Sequence, residues 1–298
     1  MAAVETVDIA PNIITDAAFR AWGANISSHL ADGGLVNVSN NIDWATVTTP
    51  GVINTKAGYE VWRFADALQA TAPVFFKLEY GAGATVNQPR LHFQLGSGSH
   101  AGNTSLMTGP LSPANTYRVA LTANSTNVEH CYFSSNTSYF NTWMFMNKDA
   151  AVLATATRTM GLSLERTKDA TGADTGEGVL ITCYDNTNLS TGIWDCKLGM
   201  LLSGANVLEN PTPIFVPGLG TGATGANVAV YPIFHAIGNA FHNPCLALLG
   251  YFNADITVNT TATVSVYGTN HTYMAAGNNA VIQSAFRNTG VGFLIRYE

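Results

Sequence analysis

Val74-Phe-Phe-Lys-Leu-Glu-Tyr80 and, after a glycine-containing break, Arg90-Leu-His-Phe-Gln-Leu95 decide the fold class. In the first stretch Val74, Phe76, Leu78 and Tyr80 share one parity while Phe75, Lys77 and Glu79 take the other. In the second, Leu91, Phe93 and Leu95 alternate with Arg90, His92 and Gln94. A period of two is that of a strand with one face on a core. The same period predicts strands at 59–64, 117–122, 129–133, 139–146, 152–160, 162–167 and 179–184. It predicts more at 193–202, 228–235, 246–252, 262–267 and 291–297. Loops are expected at 81–88, 96–112, 168–178 and 217–227, where Gly, Asn, Asp and Pro gather. Many short strands punctuated in this way imply an all-β fold, antiparallel and of sandwich or jelly-roll type. One continuous domain over residues 1–298 is expected, a sub-boundary near residue 110 being the alternative.

The period is different in one place. Phe19, Trp22, Ile26 and Leu30 are spaced three, four and four apart, the stripe of an amphipathic helix over about 15–31. Thr15 or Asp16 can cap its start, and Asp32-Gly33-Gly34 can end it. Such a stripe packs more often on its own domain than on a partner, and the spacing alone leaves both open.

Only 11% of the 298 residues are charged, against roughly 25% in an average soluble domain, while 47% are apolar. Charge-driven disorder is therefore excluded. The net charge of −6 argues against a broad phosphate-binding face, hence against nucleic acid as a partner. No apolar run reaches the roughly 18 residues of a membrane-spanning helix, and the acidic start Met1-Ala-Ala-Val-Glu5 does not read as a secretory signal. A soluble product made in the cytoplasm is the expectation. With five lysines in the chain, Asn, Thr, Ser, Gly and Ala must cover the surface. Interface cores are likewise depleted of Lys, Glu and Asp, so this composition suits a subunit of a homo-oligomer.

The run His130-Cys-Tyr-Phe-Ser-Ser-Asn-Thr-Ser-Tyr-Phe-Asn-Thr-Trp143 reads as a hairpin whose second arm is apolar on both faces. Tyr139, Trp143 and Phe145 take one face, Phe140, Met144 and Met146 the other, the pattern of a strand between two layers. An aromatic platform for sugar rings, using Tyr139 or Trp143, is the functional alternative.

A search for chemistry yields no catalytic, cofactor or metal set. Gly220-Thr-Gly-Ala-Thr-Gly225 matches the dinucleotide fingerprint in spelling, but a β-patterned stretch with Pro232 follows it instead of a helix. Ser99 beside His100 lacks the nucleophile elbow. Asp169, Asp174 and Glu177 share one turn without calcium-loop spacing, and a solvated hairpin tip is the simpler reading. His235, His242 and Cys245 have no second Cys or His pair at metal-binding spacing. Cys183 and Cys196 would face each other in a hairpin centred between Leu189 and Ser190, which predicts a cross-strand pair of reduced thiols.

The segment Thr15-Asp-Ala-Ala-Phe-Arg-Ala-Trp-Gly23, followed by Ile42-Asp-Trp-Ala-Thr-Val-Thr-Thr-Pro50, resembles virion structural proteins of tailed bacteriophages. So does Gly58-Tyr-Glu-Val-Trp-Arg-Phe-Ala-Asp66 running on through Pro73 to Gly81. Leu164-Glu-Arg-Thr-Lys-Asp-Ala-Thr-Gly172 with Gly176-Glu-Gly-Val-Leu180 adds a second patch, the resemblance covering chiefly the first 80 or so residues. It implies a non-enzymatic part of the virion, at the tail tip, baseplate or fibre attachment, with head decoration as a variant. Its implied partners are copies of itself and other virion proteins. A receptor- or carbohydrate-binding module facing a host glycan is the rival, and the resemblance carries over no catalytic residue.

Overall fold

A computed structural model describes residues 3–9, 15–52, 55–82, 89–99, 107–108, 118–119, 129–145, 159–185, 194–201, 208–209, 212–215, 222–223, 229–237, 240–252, 261–276 and 291–297. They form antiparallel β-sheets with one α-helix, as the alternation predicts.

The helix runs Asp16–Asp32, with Thr15 as N-cap accepting from Ala18 N at 3.1 Å. Gly33 caps the other end and Gly34 follows with φ +89°, where the chain turns away. Asp16 does not cap; its carboxylate accepts from the Thr49 backbone N–H at 2.7 Å and so fastens the helix start to a later loop. Phe19, Trp22, Ile26 and Leu30 are all buried within this chain, which settles the direction of the stripe.

Three sheets follow. The first joins Val36–Asn40, Lys56–Arg63, Phe75–Ala82, Pro89–Gly96 and Arg118–Val119 in that order. Its ladder sets Trp62 opposite Phe76 and Phe76 opposite Leu95, so the apolar parity read from the sequence makes one continuous face. The second sheet takes Ala3–Ile9 as its edge, then Glu129–Asn136, Tyr139–Phe145, Thr159–Lys168, Asp174–Asp185, Trp194–Leu201 and Leu208–Glu209. The third is ordered Thr212–Phe215, Ala229–Ile237, Ala240–Phe252, Val291–Arg296, Thr269–Ala276 and Thr261–Val266, with Gly222–Ala223 also paired to Ala229–Ile237. The last strand of the chain thus enters between two that precede it. A small pair, Gly98–Ser99 with Met107–Thr108, stands apart.

The aromatic hairpin forms as read, Tyr139 pairing with Asn136 across Thr137-Ser138. Its second arm has neighbours on both faces. Phe140 stacks on Phe76 of the first sheet with ring centroids 5.7 Å apart and 12° between planes. On the other face, Asn141 Nδ2 donates to the Arg296 carbonyl of the third sheet at 3.2 Å. The helix lies against the first of these faces, where Ser135 Oγ donates to the His29 carbonyl at 3.0 Å and His29 meets the Phe133 ring.

Four expectations are corrected. Residues 168–178 do not form one long loop: a strand resumes at Asp174, because Asp169 closes the turn by accepting from Thr171 N and Ala173 N. Thr159–Lys168 is one strand where two were expected, the Gly161 between them staying in the ladder opposite Trp143 and Cys183. Tyr267 is not the end of a strand but the first residue of a two-residue turn. The short strands at 98–99, 107–108 and 222–223 fall within stretches read as loops. Ala3–Ile9, Val36–Asn40, Leu208–Glu209, Thr212–Phe215 and Thr269–Ala276 were not expected; only Val36-Asn-Val-Ser39 among them alternates, and over too short a run to stand out. Residues 117, 120–122, 146, 152–158, 193, 202 and 228 of the expected strands lie outside the described residues.

The hairpin of Asp174–Asp185 and Trp194–Leu201 sets Cys183 directly opposite Cys196, the expected register.

Candidate functional site

The chain has few charges, and where they sit decides what chemistry it offers. Glu60 belongs to the strand Lys56–Arg63 and shares the apolar parity of Trp62, so the pleat turns its carboxylate inward. Three neutral donors hold it there: Trp44 Nε1 at 3.0 Å, Trp62 Nε1 at 3.2 Å and the Tyr80 hydroxyl at 2.8 Å. Burial, with the adjacent Glu60 charge, pushes the Tyr80 phenol well above its ordinary range and keeps it a donor. Trp44 reaches this position across Gly23, where a Cβ would lie 1.9 Å from the indole. On the opposite face of this sheet, Glu79 pairs with Lys56 at 2.5 Å and Lys77 at 3.2 Å. Burial alone would raise the Glu79 carboxyl, but these two cations outweigh it and lower it.

The strand Thr159–Lys168 carries charge to both faces in succession. Arg166 is 0% exposed; its Nε and Nη2 donate to the two Asp66 oxygens at 2.5 and 3.0 Å, and Nη2 also donates to the Ala72 carbonyl. Asp66 meanwhile caps the short 3₁₀ turn Ala67–Ala70 by accepting from Leu68 N. Glu165, facing the other way, accepts from the backbone N–H of Leu246 and lies 3.8 Å from Arg296 Nη1. The Arg296 guanidinium sits 4.4 Å above the Tyr139 ring and contacts His271 Nδ1 at 3.4 Å. Burial, with Arg296 and Lys168 close by, lowers His271 to about 4. Burial also lowers His29 to about 4, against the opposing pull of Asp32.

These groups are held by one another. Glu60, Glu79, Glu165 and Asp66 each accept from donors of this chain, an arrangement that orients and neutralises but presents no charge to a substrate. The described side chains hold no group of three or more His, Cys, Asp or Glu able to bind a metal ion. No described helix is long and apolar enough to cross a membrane.

Asp169, Asp174 and Glu177, which share one turn in the sequence, each have partners of their own. Asp169 accepts from Thr171 N, Thr171 Oγ and Ala173 N, which hold its carboxyl below the usual range; Asp174 pairs with Lys168, and Glu177 receives Thr167 Oγ1. Ser99 pairs with Met107, while His100 lies outside the described residues. Gly222 of the fingerprint-like run pairs with Val230, and Ala229–Ile237 after it is a strand. Tyr139, a candidate sugar platform, is buried beneath Arg296 and cannot present a ring face to a glycan. The side chain of Trp143 lies outside the described ones.

One aromatic among the described side chains is exposed. Tyr267, 44% exposed with φ +50°, starts the turn that ends at Gly268, φ +76°. Left-handed backbone costs a non-glycine residue about 1 kcal/mol or more. Its ring lies over Gly172 of the Asp169–Ala173 turn, so two hairpin tips meet there.

Glu60, Asp66, Arg166 and Arg296 were not singled out from the sequence. The signal for Glu60 and Arg166 was their parity: each sits on the apolar side of its own strand. Nothing local marks Asp66, whose partner is a hundred positions away.

Two outcomes follow. Replacing Arg166 by Met is expected to destabilise the fold by about 3–5 kcal/mol, since it leaves a carboxylate without its cation. Adding Asp66→Asn, which keeps the turn cap, is expected to restore most of that; chemical denaturation of the three variants measures it, and a single-variant cost under about 1 kcal/mol would sink the pairing. Stability is also expected to fall between pH 6.5 and about 4. The unfolded imidazoles take up protons there while His29 and His271 in the fold do not, so their contribution is complete above 6.5 and is lost on acidification. Urea midpoints in a pH series test this, His271→Gln flattening the slope; a flat profile in the parent chain contradicts it.

No family model matches the chain, and neither a curated protein nor a solved structure shows significant similarity to it.

Proposed function

We propose that this chain is a non-enzymatic structural component of a tailed-phage virion, placed at the tail tip, baseplate or fibre attachment, with head decoration as a variant. In this reading it is one continuous β domain whose sheets stack as a sandwich, and it works through symmetric contacts with its own copies and with other virion proteins. The observation that carries the assembly part is the withdrawal of charge. Four cations, Lys77, Arg166, Lys168 and Arg296, and three carboxylates, Glu60, Glu79 and Glu165, are buried in a chain that has few charges to begin with. Among the described side chains, those left outside are largely Ala, Thr, Asn, Ser and Gly, a surface that can be desolvated against a neighbour at low cost. Closed symmetry satisfies such surfaces without leaving one open. The virion assignment itself rests on the resemblance of the first 80 or so residues.

A second reading has Tyr267 behind it. A strained, exposed tyrosine at a hairpin tip suits stacking against a sugar ring of the host surface.

The mass of the purified chain, by light scattering at 0.15 M and 1 M salt, tests the first reading. A closed oligomer of the same mass at both is expected, because interfaces without ion pairs do not respond when the screening length falls to about 3 Å. A monomer at every concentration overturns self-assembly, and polysaccharide cleavage abolished by one carboxylate substitution overturns the non-enzymatic part. The second reading predicts retention on an immobilised glycan panel that Tyr267→Ala removes; retention unchanged by that substitution would exclude the tip.

A further inference from the structure

His235, His242 and Cys245 lack a second pair at metal-binding spacing in the sequence, but the strand register changes their relation. The hairpin Ala229–Ile237/Ala240–Phe252 sets His235 directly opposite His242, and Ile233 opposite Cys245. Two positions on one strand therefore answer three on the other, and the ladder shifts between Ile233 and His235. The unmatched residues include Pro244, which has no N–H to give a ladder. Irregularities of this kind accumulate beside functional sites, where they re-aim a side chain.

Directly opposed residues in an antiparallel pair have Cα atoms about 4.5–5.5 Å apart, and the next pair of the same parity lies roughly 7 Å along the strand. Two histidines and a cysteine thus occupy adjoining register positions of one hairpin. In the sequence only His242 and Cys245 are near neighbours, and the ladder supplies the third member. We propose that His235, His242 and Cys245 form a zinc site on the third sheet.

Two neutral imidazoles and a thiolate are a borderline donor set of the kind zinc selects, and three protein donors leave a fourth position for water. The other paired thiols, Cys183 and Cys196, have Gly161 and Trp194 among their ladder neighbours and no histidine. The site does not depend on the virion reading.

Cobalt(II) added to the metal-free full chain tests it. One equivalent is expected to bind with the intense thiolate-to-cobalt absorption of a tetrahedral site, and zinc to displace it. Cys245→Ser should abolish that band, His235→Gln and His242→Gln should each weaken cobalt binding by about tenfold or more, and Cys183→Ser/Cys196→Ser should leave it unchanged. A measurement on the parent chain needs no variant to fold: zinc should slow alkylation of Cys245, mapped by mass spectrometry, by about tenfold or more, because a metal-held thiolate is withdrawn from reaction. Absence of the band, its survival in Cys245→Ser, or alkylation of Cys245 at the same rate with and without zinc would overturn the assignment.

Discussion

The Arg166–Asp66 pair cannot be understood apart from the residue before it. Glu165 and Arg166 are consecutive, buried, opposite in charge and turned to opposite faces of one strand. A slip of one residue exchanges the faces of every side chain on a strand. Here it would bring the Glu165 carboxylate against Asp66 and the Arg166 guanidinium against Arg296, two like-charge contacts away from water. A buried ion pair contributes little net stability beside a well-packed apolar pair, yet it penalises the wrong arrangement heavily. The pair of residues therefore fixes the strand Thr159–Lys168 in register, and through it the strands Tyr139–Phe145 and Asp174–Asp185 that flank it.

That register in turn places the aromatic residues. With Glu165 opposite Tyr139 and Leu164 opposite Phe140, the two rings fall on opposite faces of the second sheet. Phe140 meets Phe76, which continues to Phe93 in a stacked row, while Tyr139 lies beneath Arg296. Stacked and cation-over-ring contacts have directional requirements that aliphatic packing lacks, so they reinforce one arrangement over its neighbours. Trp22 of the helix and Trp44 of the turn after Val36–Asn40 complete the first face, both edge-on to Tyr80, whose hydroxyl holds Glu60.

Much of this was legible from short-range pattern. The parity of Val74–Tyr80, the stripe Phe19/Trp22/Ile26/Leu30, the doubly apolar arm after Ser138 and the opposition of Cys183 to Cys196 all follow from spacings within one element or one hairpin. What escaped depends on distance along the chain. Ala3–Ile9 has a strand's partner only because residues 129–136 reach it, and Val291–Arg296 divides two strands by an insertion that no local signal announces. The polar sites escaped for the same reason. A carboxylate such as Asp66 looks solvated until its guanidinium arrives from Arg166, and His235 gains His242 as a neighbour only through the ladder.

The placement of charge also bears on why a chain like this would need company. A protein of ordinary composition keeps both signs interspersed on its surface, which holds copies apart and keeps them soluble. Here, among the described side chains, the interior takes seven charged ones, Glu60, Lys77, Glu79, Glu165, Arg166, Lys168 and Arg296. Each one drawn inward removes a group that would otherwise oppose association at the surface. The edge strand Val36–Asn40 shows the result locally: it bears no charge, leaves Val38 exposed, and is interrupted there by a shift in its pairing with Lys56–Arg63. Bulges and charges are the two common means of protecting an edge, and this one has only the bulge. A neutral surface with lightly guarded edges is a hazard for a free monomer and an advantage for a subunit whose neighbours occupy those edges by design, which is why the same internal electrostatics that fix the fold also support the assembly reading.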